Sequence, residues 1–440
     1  MRRSLLTLLA VLAVPALTAQ APARITTLTL DEAVELARRY NPTYQTQLND
    51  RRRTGLGVRS AYARLFPSSN ASFGVGWREG GKVFVEGVPT GADFNLLSSS
   101  YGVSLGVSYD LSSLLNPRQQ TALLDAADSR VVAQEQTLRR DITSRYFLAV
   151  QAARAADLQD TLVASQRLAL ELAQAREEHG SGTTLETQDR EVRLKQQQIA
   201  ALRAHNDAEV AVIQLFQLMG VPQAGAVSLT TELPVTEPTF AVESLLADAR
   251  SRNPSLEAGR AQQRAASVGR KQANAGYLPS LSLSTGIGGS TNEATNAPPE
   301  AQRWPFDFNR SPIGINASLS IPIWNAFGRE NTAQNAAISL SDAAHNLRSA
   351  ELQLETTVTS TYLRLVTDYR AVRLQEEAAA TARIALTTAQ ERYRVGSTSY
   401  LELSNQQDTY QRAENDRLVA IYTYHRTFAE LEAAVGRPLR

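Results

Sequence analysis

Two kinds of hydrophobic periodicity alternate along the chain. Four short segments alternate between apolar and small polar residues, a period of two that is typical of β-strands whose two faces meet different surroundings. Between the segments, apolar residues recur every seven positions, which predicts long helices with coiled-coil packing. The predicted strands centre on residues 73–77, 101–109, 281–287 and 313–323, with long polar loops at 78–100 and 289–312.

The heptad pattern predicts two very long helices, over about residues 118–179 and 330–394. At 1.5 Å per residue each would span roughly 90–100 Å, which requires a lateral partner. Each is followed by a small turn and a returning helix, predicted over 184–218 and 400–435. The apolar seam positions are Leu124, Val131, Leu138, Ile142, Ala149, Ala156, Val163 and Leu170, then Leu340, Leu347, Leu354, Val358, Leu365, Val372, Ala379 and Leu386.

Each half also begins with a helix. Thr29 and Glu32 have the spacing of a capping box, and Asn41-Pro42 predicts an interruption of that first helix. Asn-Pro recurs 212 residues later at Asn253, and the turn glycine Gly180 recurs 216 residues later as Gly396. The chain is therefore predicted to be a twofold internal repeat: residues 24–222, a Pro-containing linker at 223–240, and residues 241–440.

The first 20 residues have the layout of a secretory signal peptide. Arg2 and Arg3 precede an apolar run at 5–17 that is too short to span a membrane, and cleavage is expected near Ala19 to Ala21. A buried N-terminal helix is the alternative interpretation. The mature chain is expected to leave the cytoplasm.

Composition excludes several classes of function. With 45 basic and 44 acidic side chains the net charge is +1, so nothing favours nucleic acid as a partner. Cysteine is absent, which excludes disulfides, a thiol nucleophile and a lipid anchor on cysteine. The four histidines are scattered without metal-ligand spacing, so neither a metal nor another cofactor is predicted.

One motif suggests an enzyme and is rejected. Residues 102–106 match the G-x-S-x-G pattern around Ser104, the pattern of a hydrolase nucleophile elbow. An elbow requires a strand, a sharp turn and then a helix, whereas here the alternation continues to Tyr109. Ser104 is therefore predicted to lie within a strand, and no catalytic residue is assigned.

Four strands are too few to close a barrel within one chain. The smallest single-chain bacterial outer-membrane barrels use eight strands, so strands from several copies would have to combine, and three copies would give twelve. Aromatic residues near the predicted strand ends suit the girdles of such a barrel: Trp77, Tyr101, Tyr109, Tyr277 and Trp324. A soluble sandwich with an apolar interior is the alternative.

The chain resembles the TolC-like outer-membrane efflux protein family over essentially its whole mature length. The segments that carry the resemblance are 28–42 with its Asn-Pro ending, the second copy ending at Asn253-Pro254, the strand entry 277–283 and the turn 393–403. The resemblance implies an α+β membrane protein. A trimeric 12-stranded outer-membrane β-barrel would continue into a long periplasmic α-helical barrel, with four strands and long coiled-coil hairpins per chain.

The resemblance also implies where the channel closes. Glu186 and Glu402 match polar or acidic positions of the family's entrance constriction, and Asn405 stands where a second acid can occur. Tyr393 and Thr398 match residues that link neighbouring hairpins, although Thr398 replaces a basic residue found in some members. The implied contacts with a periplasmic adaptor lie at the two hairpin turns, at Gly180, Gly182, Val395, Gly396 and Ser397.

The predicted function is a passive exit channel of a tripartite efflux or type I secretion system. The implied partners are two further copies of the chain, a periplasmic adaptor, an inner-membrane pump or ABC exporter, and outer-membrane lipid. A periplasmic coiled-coil adaptor or structural protein is the alternative, and a secreted hydrolase using Ser104 is a weaker one.

Overall fold

The computed structural model describes residues 26–80, 83–85, 88–90, 95–223, 225–231, 234–294, 304 and 306–439. The predicted signal peptide, residues 1–20, lies outside the described residues. The chain divides into two compact units. Of the described residues, unit 1 comprises those within 26–41, 141–236 and 371–426, and unit 2 comprises those within 42–140, 237–370 and 427–439.

Helices and long strands follow the same order in the two halves of the chain. The first half contains β1 (Thr27–Leu28), α1 (Leu30–Tyr40), α2 (Pro42–Ala63), β2 (Ser68–Arg78), β3 (Val83–Val85), β4 (Val88–Thr90), β5 (Leu96–Tyr109), α3 (Leu111–Glu178) and α4 (Thr184–Met219). The second half contains β6 (Ser228–Leu229), α5 (Val242–Arg252), α6 (Pro254–Ala275), β7 (Ser280–Ala294), β8 (Asn309–Ser320), α7 (Gly328–Arg394) and α8 (Tyr400–Val435).

The four long strands form one antiparallel sheet in the order β2-β5-β7-β8. Its register places apolar residues opposite one another, as where Tyr109 faces Leu281 and Leu281 faces Leu319. The alternate positions align small residues, as where Ser104 faces Gly286. The sheet therefore has one apolar face and one face of glycine and serine, as the alternation predicts.

The predicted strand boundaries need correction at both long loops. β5 already begins at Leu96 and β7 continues to Ala294, so much of the segments predicted as loops is strand. These extensions are rich in Ser, Thr and Asn and lack apolar alternation, but backbone pairing between β5 and β7 sustains them. The predicted loop 78–100 also contains the β3–β4 hairpin.

Proline explains two further differences on β8. Pro312 lies inside the strand, beside a shift of register between Gly286 and Gly288, where a residue without an N–H group is tolerated. Ile321 and Ile323 were expected in the strand but follow its end at Ser320. Among the aromatic residues predicted near strand ends, Tyr101 lies well inside β5 instead.

The first long helix starts earlier than the predicted Arg118. α3 begins at Leu111 because the Asp110 carboxylate accepts hydrogen bonds from the Ser112 hydroxyl at 2.8 Å and from the Ser113 backbone. Pro117 consequently lies inside the helix rather than before it. The other three hairpin helices agree with their predicted ranges to within about two residues, the ordinary uncertainty of helix ends.

Both Asn-Pro pairs join a first helix to a second and meet the end of a returning helix. Each proline occupies the first position of its helix, α2 or α6, where no N–H group is needed. The Asn41 amide donates to the Leu218 carbonyl at 2.7 Å, and the Asn253 amide donates to Ala434 at 2.9 Å. The asparagines therefore bind carbonyl groups that the ends of α4 and α8 leave without helical partners.

The core of the helical hairpins follows the predicted heptads. None of the sixteen seam residues is exposed, and the central four in each long helix are buried. Those eight are Leu138, Ile142, Ala149, Ala156, Val358, Leu365, Val372 and Ala379. Two of the four in the first long helix, Ala149 and Ala156, have small side chains, which permits close approach of a neighbouring helix.

The segment predicted as a linker carries a strand. β6 pairs in parallel with β1, and Tyr146 on α3 stabilises both. The Tyr146 hydroxyl donates to the Leu28 carbonyl at 2.9 Å and accepts from the Thr231 N–H at 3.0 Å. A two-residue strand has no pattern in the sequence, because its stability depends on these distant partners.

Candidate functional site: the tips of the two helical hairpins

The turn between α3 and α4 forms the tip of the first hairpin. Gly180 has a φ of 72°, its N–H bonds to the Glu177 carbonyl at 2.9 Å, and the Ser181 N–H bonds to the Arg176 carbonyl at 2.8 Å. This pattern is a Schellman motif, which favours glycine because the left-handed conformation strains other residues. A Cβ atom on Gly182 would lie 2.9 Å from the Glu177 nitrogen, so this second glycine is required by close backbone approach.

The turn between α7 and α8 forms the second tip with the same backbone pattern. Gly396 has a φ of 73°, its N–H bonds to Tyr393 at 3.0 Å, and the Ser397 N–H bonds to Arg392 at 2.8 Å. Val395 is exposed at this tip, and Thr398 occupies the position that Gly182 has in the first. The hydroxyl of Ser399 then accepts the Glu402 N–H at 3.3 Å and caps α8.

Two tyrosines of the second hairpin bind two acids of the first. The Tyr393 hydroxyl donates to the Glu186 carboxylate, and the Tyr400 hydroxyl donates to the Asp189 carboxylate. The tyrosines flank the second turn, while both acids lie in the first two turns of α4. Within unit 1, the two hairpin tips are therefore tied by two hydrogen bonds to charged acceptors.

Arginines of the first hairpin lie over the same rings. The Arg190 guanidinium is 3.7 Å from the centre of the Tyr400 ring, and the Arg176 guanidinium is 4.7 Å from that of Tyr393. A cation on an aromatic face gains about 2 kcal/mol when it is desolvated and less when it is exposed. Taking a charged group out of water costs several kcal/mol, so stacking alone does not offset complete burial.

These contacts change the acidity of two groups. The hydrogen bond from Tyr400 holds the pKa of Asp189 below its ordinary value of 3.8, and Arg193, whose Nε donates to Asp189 at 3.0 Å, acts in the same direction. Burial raises the pKa of Tyr400 to about 12, with the bond to the Asp189 carboxylate adding to that effect. Near neutral pH, Asp189 is therefore ionised and Tyr400 keeps its proton.

The predicted site residues do not all come together. Glu186 and Tyr393 are in direct contact, whereas Glu402 is exposed and accepts a hydrogen bond from the Gln406 amide at 3.0 Å within its own helix. Asn405 is exposed on α8, and Thr398 is partly exposed in the turn.

Sequence reasoning missed Asp189, Arg190 and Tyr400. The sequence offers a local signal, since three acids and two arginines lie within residues 186–193 and two tyrosines flank the second turn, but this signal does not specify which of these residues are in contact.

The serine and histidine residues considered for catalysis or metal binding have contacts that suit structural roles. Ser104 lies in β5 between Asn70 of β2 and Gly286 of β7, so it is a strand residue as predicted. His425 is buried and stacks on Phe147 at 4.9 Å between ring centres, and His205 contacts Asp160 at 2.9 Å. Across the described ranges, His, Asp and Glu form no group of three that could hold a metal ion.

The apolar face of the sheet is a second notable surface. Its large side chains are strongly exposed on the chain, including Phe73, Trp77, Leu281, Ile315 and Leu319. Contiguous apolar surface of this kind marks contact with lipid or protein rather than water. No helix in the described part of the chain is both long and apolar enough to cross a membrane.

The chain combines a sheet that has one exposed apolar face with long coiled-coil hairpins. This combination defines an α+β protein with the architecture of an outer-membrane channel subunit. The sequence profile of the outer membrane efflux protein family matches residues 33–221 and 245–437. The chain belongs to this family, which places it in the outer membrane with a role in efflux.

Individual relatives agree in sequence and in fold. Outer membrane protein TolC of Escherichia coli K12 is 23% identical over 415 residues, which cover 92% of this chain and 82% of TolC. A membrane protein from Pseudomonas aeruginosa has a TM-score of 0.76 at 17% identity, covering 96% of both chains. The Campylobacter jejuni CmeC outer membrane channel has a TM-score of 0.75 at 14% identity, covering 96% of this chain and 90% of CmeC.

Proposed function

We propose that three copies of this chain form a passive outer-membrane exit channel. The observation that carries the proposal is the four-stranded sheet, whose apolar face is exposed and whose outer strands β2 and β8 each pair on one side only among the described residues. An edge strand offers free N–H and C=O groups to a strand of another chain. Three sheets joined edge to edge give a closed barrel of twelve strands, with glycine and serine lining an open lumen.

The helical hairpins would form the periplasmic part of the channel. Two hairpins from each of three copies supply twelve helices, and the heptad seams provide the lateral packing that such long helices require. The two halves of the chain would be repeats over residues 24–222 and 241–440, joined by the segment 223–240. A signal peptide of 20 residues, cleaved at 19–21, would direct the chain out of the cytoplasm.

The hairpin tips would close the periplasmic entrance. In this proposal a threefold ring of Glu402 narrows the pore, with Asn405 one turn further along α8. Glu186, Tyr393 and Thr398 link the hairpins, and outward movement of the hairpins opens the channel. A ring of carboxylates would favour cations and repel anions.

The partners follow from the same arrangement. The tip turns at Gly180, Gly182, Val395, Gly396 and Ser397 would contact a periplasmic adaptor, and a pump or ABC exporter of the inner membrane would supply the energy. Support comes from the tips themselves, where Val395 and Leu185 are 71% and 76% exposed. Apolar side chains left in water beside a tight turn suit a protein contact. The cargo would be small molecules in efflux or proteins in type I secretion.

Conductance in a planar lipid bilayer tests this proposal. The purified protein should give discrete, cation-selective channels, and Glu402→Gln should reduce the selectivity, while Glu171→Gln on α3 should leave it unchanged. Unaltered selectivity in Glu402→Gln would refute the acidic ring. If wild type gave no channels and carbonate washing released it from membranes, the alternative of a periplasmic adaptor or structural protein would replace the channel.

A further inference from the structure

Arg190 is an unusual residue for the interior of a helical hairpin. It lies in the second turn of α4 and is 0% exposed. Among the described residues, none of its three guanidinium nitrogens has a hydrogen-bond acceptor. A fully buried cation is normally paired and hydrogen-bonded, because the loss of its hydration is otherwise uncompensated.

Two aromatic rings that lie against the Arg190 guanidinium belong to the other hairpin. Its guanidinium lies 3.7 Å from the centre of the Tyr400 ring and 5.7 Å from that of Tyr393. These tyrosines already use their hydroxyl groups to bind Asp189 and Glu186, so they offer Arg190 ring faces rather than hydrogen bonds. The burial of Arg190 therefore depends on contact between the two hairpins, and separation of the hairpins would return its guanidinium to water.

The first hairpin alone has this feature. The position 216 residues after Arg190 is Gln406, which is partly exposed and donates to Glu402 on its own helix. The equivalent site in the second hairpin is neutral and hydrogen-bonded. The buried charge is thus a property of one side of the tip contact and does not follow from the shared backbone plan.

We propose that Arg190 is a positioning residue of the gate, which destabilises the tied arrangement of the hairpin tips and so favours their separation. The tyrosine–carboxylate bonds hold the tips together, whereas the dehydrated guanidinium, which has no hydrogen-bond acceptor and only the nearby charge of Asp189 in partial compensation, opposes them. Because the two effects oppose each other, the buried guanidinium lowers the free energy that a partner must supply to separate the tips. This inference rests on the proposed function, in which hairpin separation opens the channel.

Amide hydrogen exchange of the full-length protein in detergent tests the inference directly. Arg190→Met keeps a long side chain but removes the charge, and should slow exchange in residues 184–193 and 400–406 by about fivefold or more. Arg190→Lys keeps a buried cation and should exchange like wild type. Arg203→Met makes the same change at an exposed position of α4 and should also exchange like wild type. Arg190→Leu serves if Arg190→Met does not fold.

Bilayer conductance separates failure of this inference from failure of the proposed function. Arg190→Met should lower the fraction of time that the channel is open, whereas Arg190→Lys should keep that fraction at the wild-type value. Unchanged or faster exchange in Arg190→Met would overturn the inference, since Arg190 would then be neutral or would hold the tips together. Slower exchange in a protein that never conducts would support the effect of Arg190 on the tips and contradict the channel.

Discussion

The two hairpin tips share a backbone and differ in side chains. Both turns have a left-handed glycine and the same pair of backbone hydrogen bonds. The first tip contributes carboxylates and arginines, whereas the second contributes the two tyrosines that bind them. Two identical tips would place like residues opposite one another. Divergence of side chains on a common turn is what allows the tips of one chain to bind each other.

The largest expected effect comes from exchanging the residues that distinguish the two turns. Gly182→Thr places a Cβ atom 2.9 Å from the Glu177 nitrogen, so the first turn should lose about 1–3 kcal/mol of local stability. The reverse exchange, Thr398→Gly, introduces no clash and should change the second turn by less than about 1 kcal/mol. Amide exchange of both turns measures the difference, and equal effects would show that the turns are equivalent.

Removing one of the two tyrosine hydroxyls that connect the hairpin tips should have an intermediate effect on local stability. Tyr400→Phe keeps the ring over Arg190 but eliminates the hydrogen bond to Asp189. Because the Asp189 side chain remains 43% exposed, water screens the loss, and we expect about 1 kcal/mol of local destabilisation. Tyr62→Phe, at an exposed position of α2, is the matched control. If Tyr400→Phe left amide exchange at the tips unaltered, the hydrogen bond between Tyr400 and Asp189 would not contribute to the contact between the hairpins.

The same pair predicts how the tip responds to pH. The folded-state pKa of Asp189 is lowered, so its contribution is complete above the ordinary value of 3.8 and is lost as the pH falls through the lower folded value. The pKa of Tyr400 is raised to about 12, so its contribution is complete below 10.0 and is lost as the pH rises from 10.0 towards 12.

Spectrophotometric titration of phenolate absorbance in wild type and Tyr400→Phe isolates this tyrosine. The difference between the two curves should have its midpoint near pH 12. A midpoint near 10.0 would show that Tyr400 is neither buried nor bound to a carboxylate.

The smallest effect should come from the other stacked arginine. Arg176→Met removes the cation from the Tyr393 ring, and because Arg176 is only partly buried we expect a loss of about 0.5–1 kcal/mol. The change should slow no amide in either tip, in contrast to the effect inferred for Arg190. If Arg176→Met and Arg190→Met had the same effect on amide exchange, the complete burial of Arg190 would not give it a role different from that of Arg176.

Local patterns predicted much of the fold. The capping box of Thr29 and Glu32, the strand around Ser104 and the seam residues Ile142 and Val358 appear where the sequence placed them. Each depends on neighbours in sequence or on a period that one helix or strand imposes by itself. β6 and the polar ends of β5 and β7 were missed, because distant pairing rather than apolar alternation stabilises them.

The candidate site was predicted only in outline. The glycine turns are local, so Gly180 and Gly396 were found from their spacing. The contact between Asp189 and Tyr400 joins residues 211 positions apart, and no pattern within either helix specifies it. The burial of Arg190 could not be predicted either, since an arginine beside two acids ordinarily indicates an exposed helix face.

The native mass of the protein extracted from membranes in detergent tests the central claim most directly. A chain of 47.9 kDa, less its signal peptide, should give a particle of about three times the monomer mass after the detergent is subtracted, because three four-stranded sheets are needed to close the barrel. A monomer that remains soluble without detergent would contradict the barrel and leave the coiled-coil periplasmic protein as the better account.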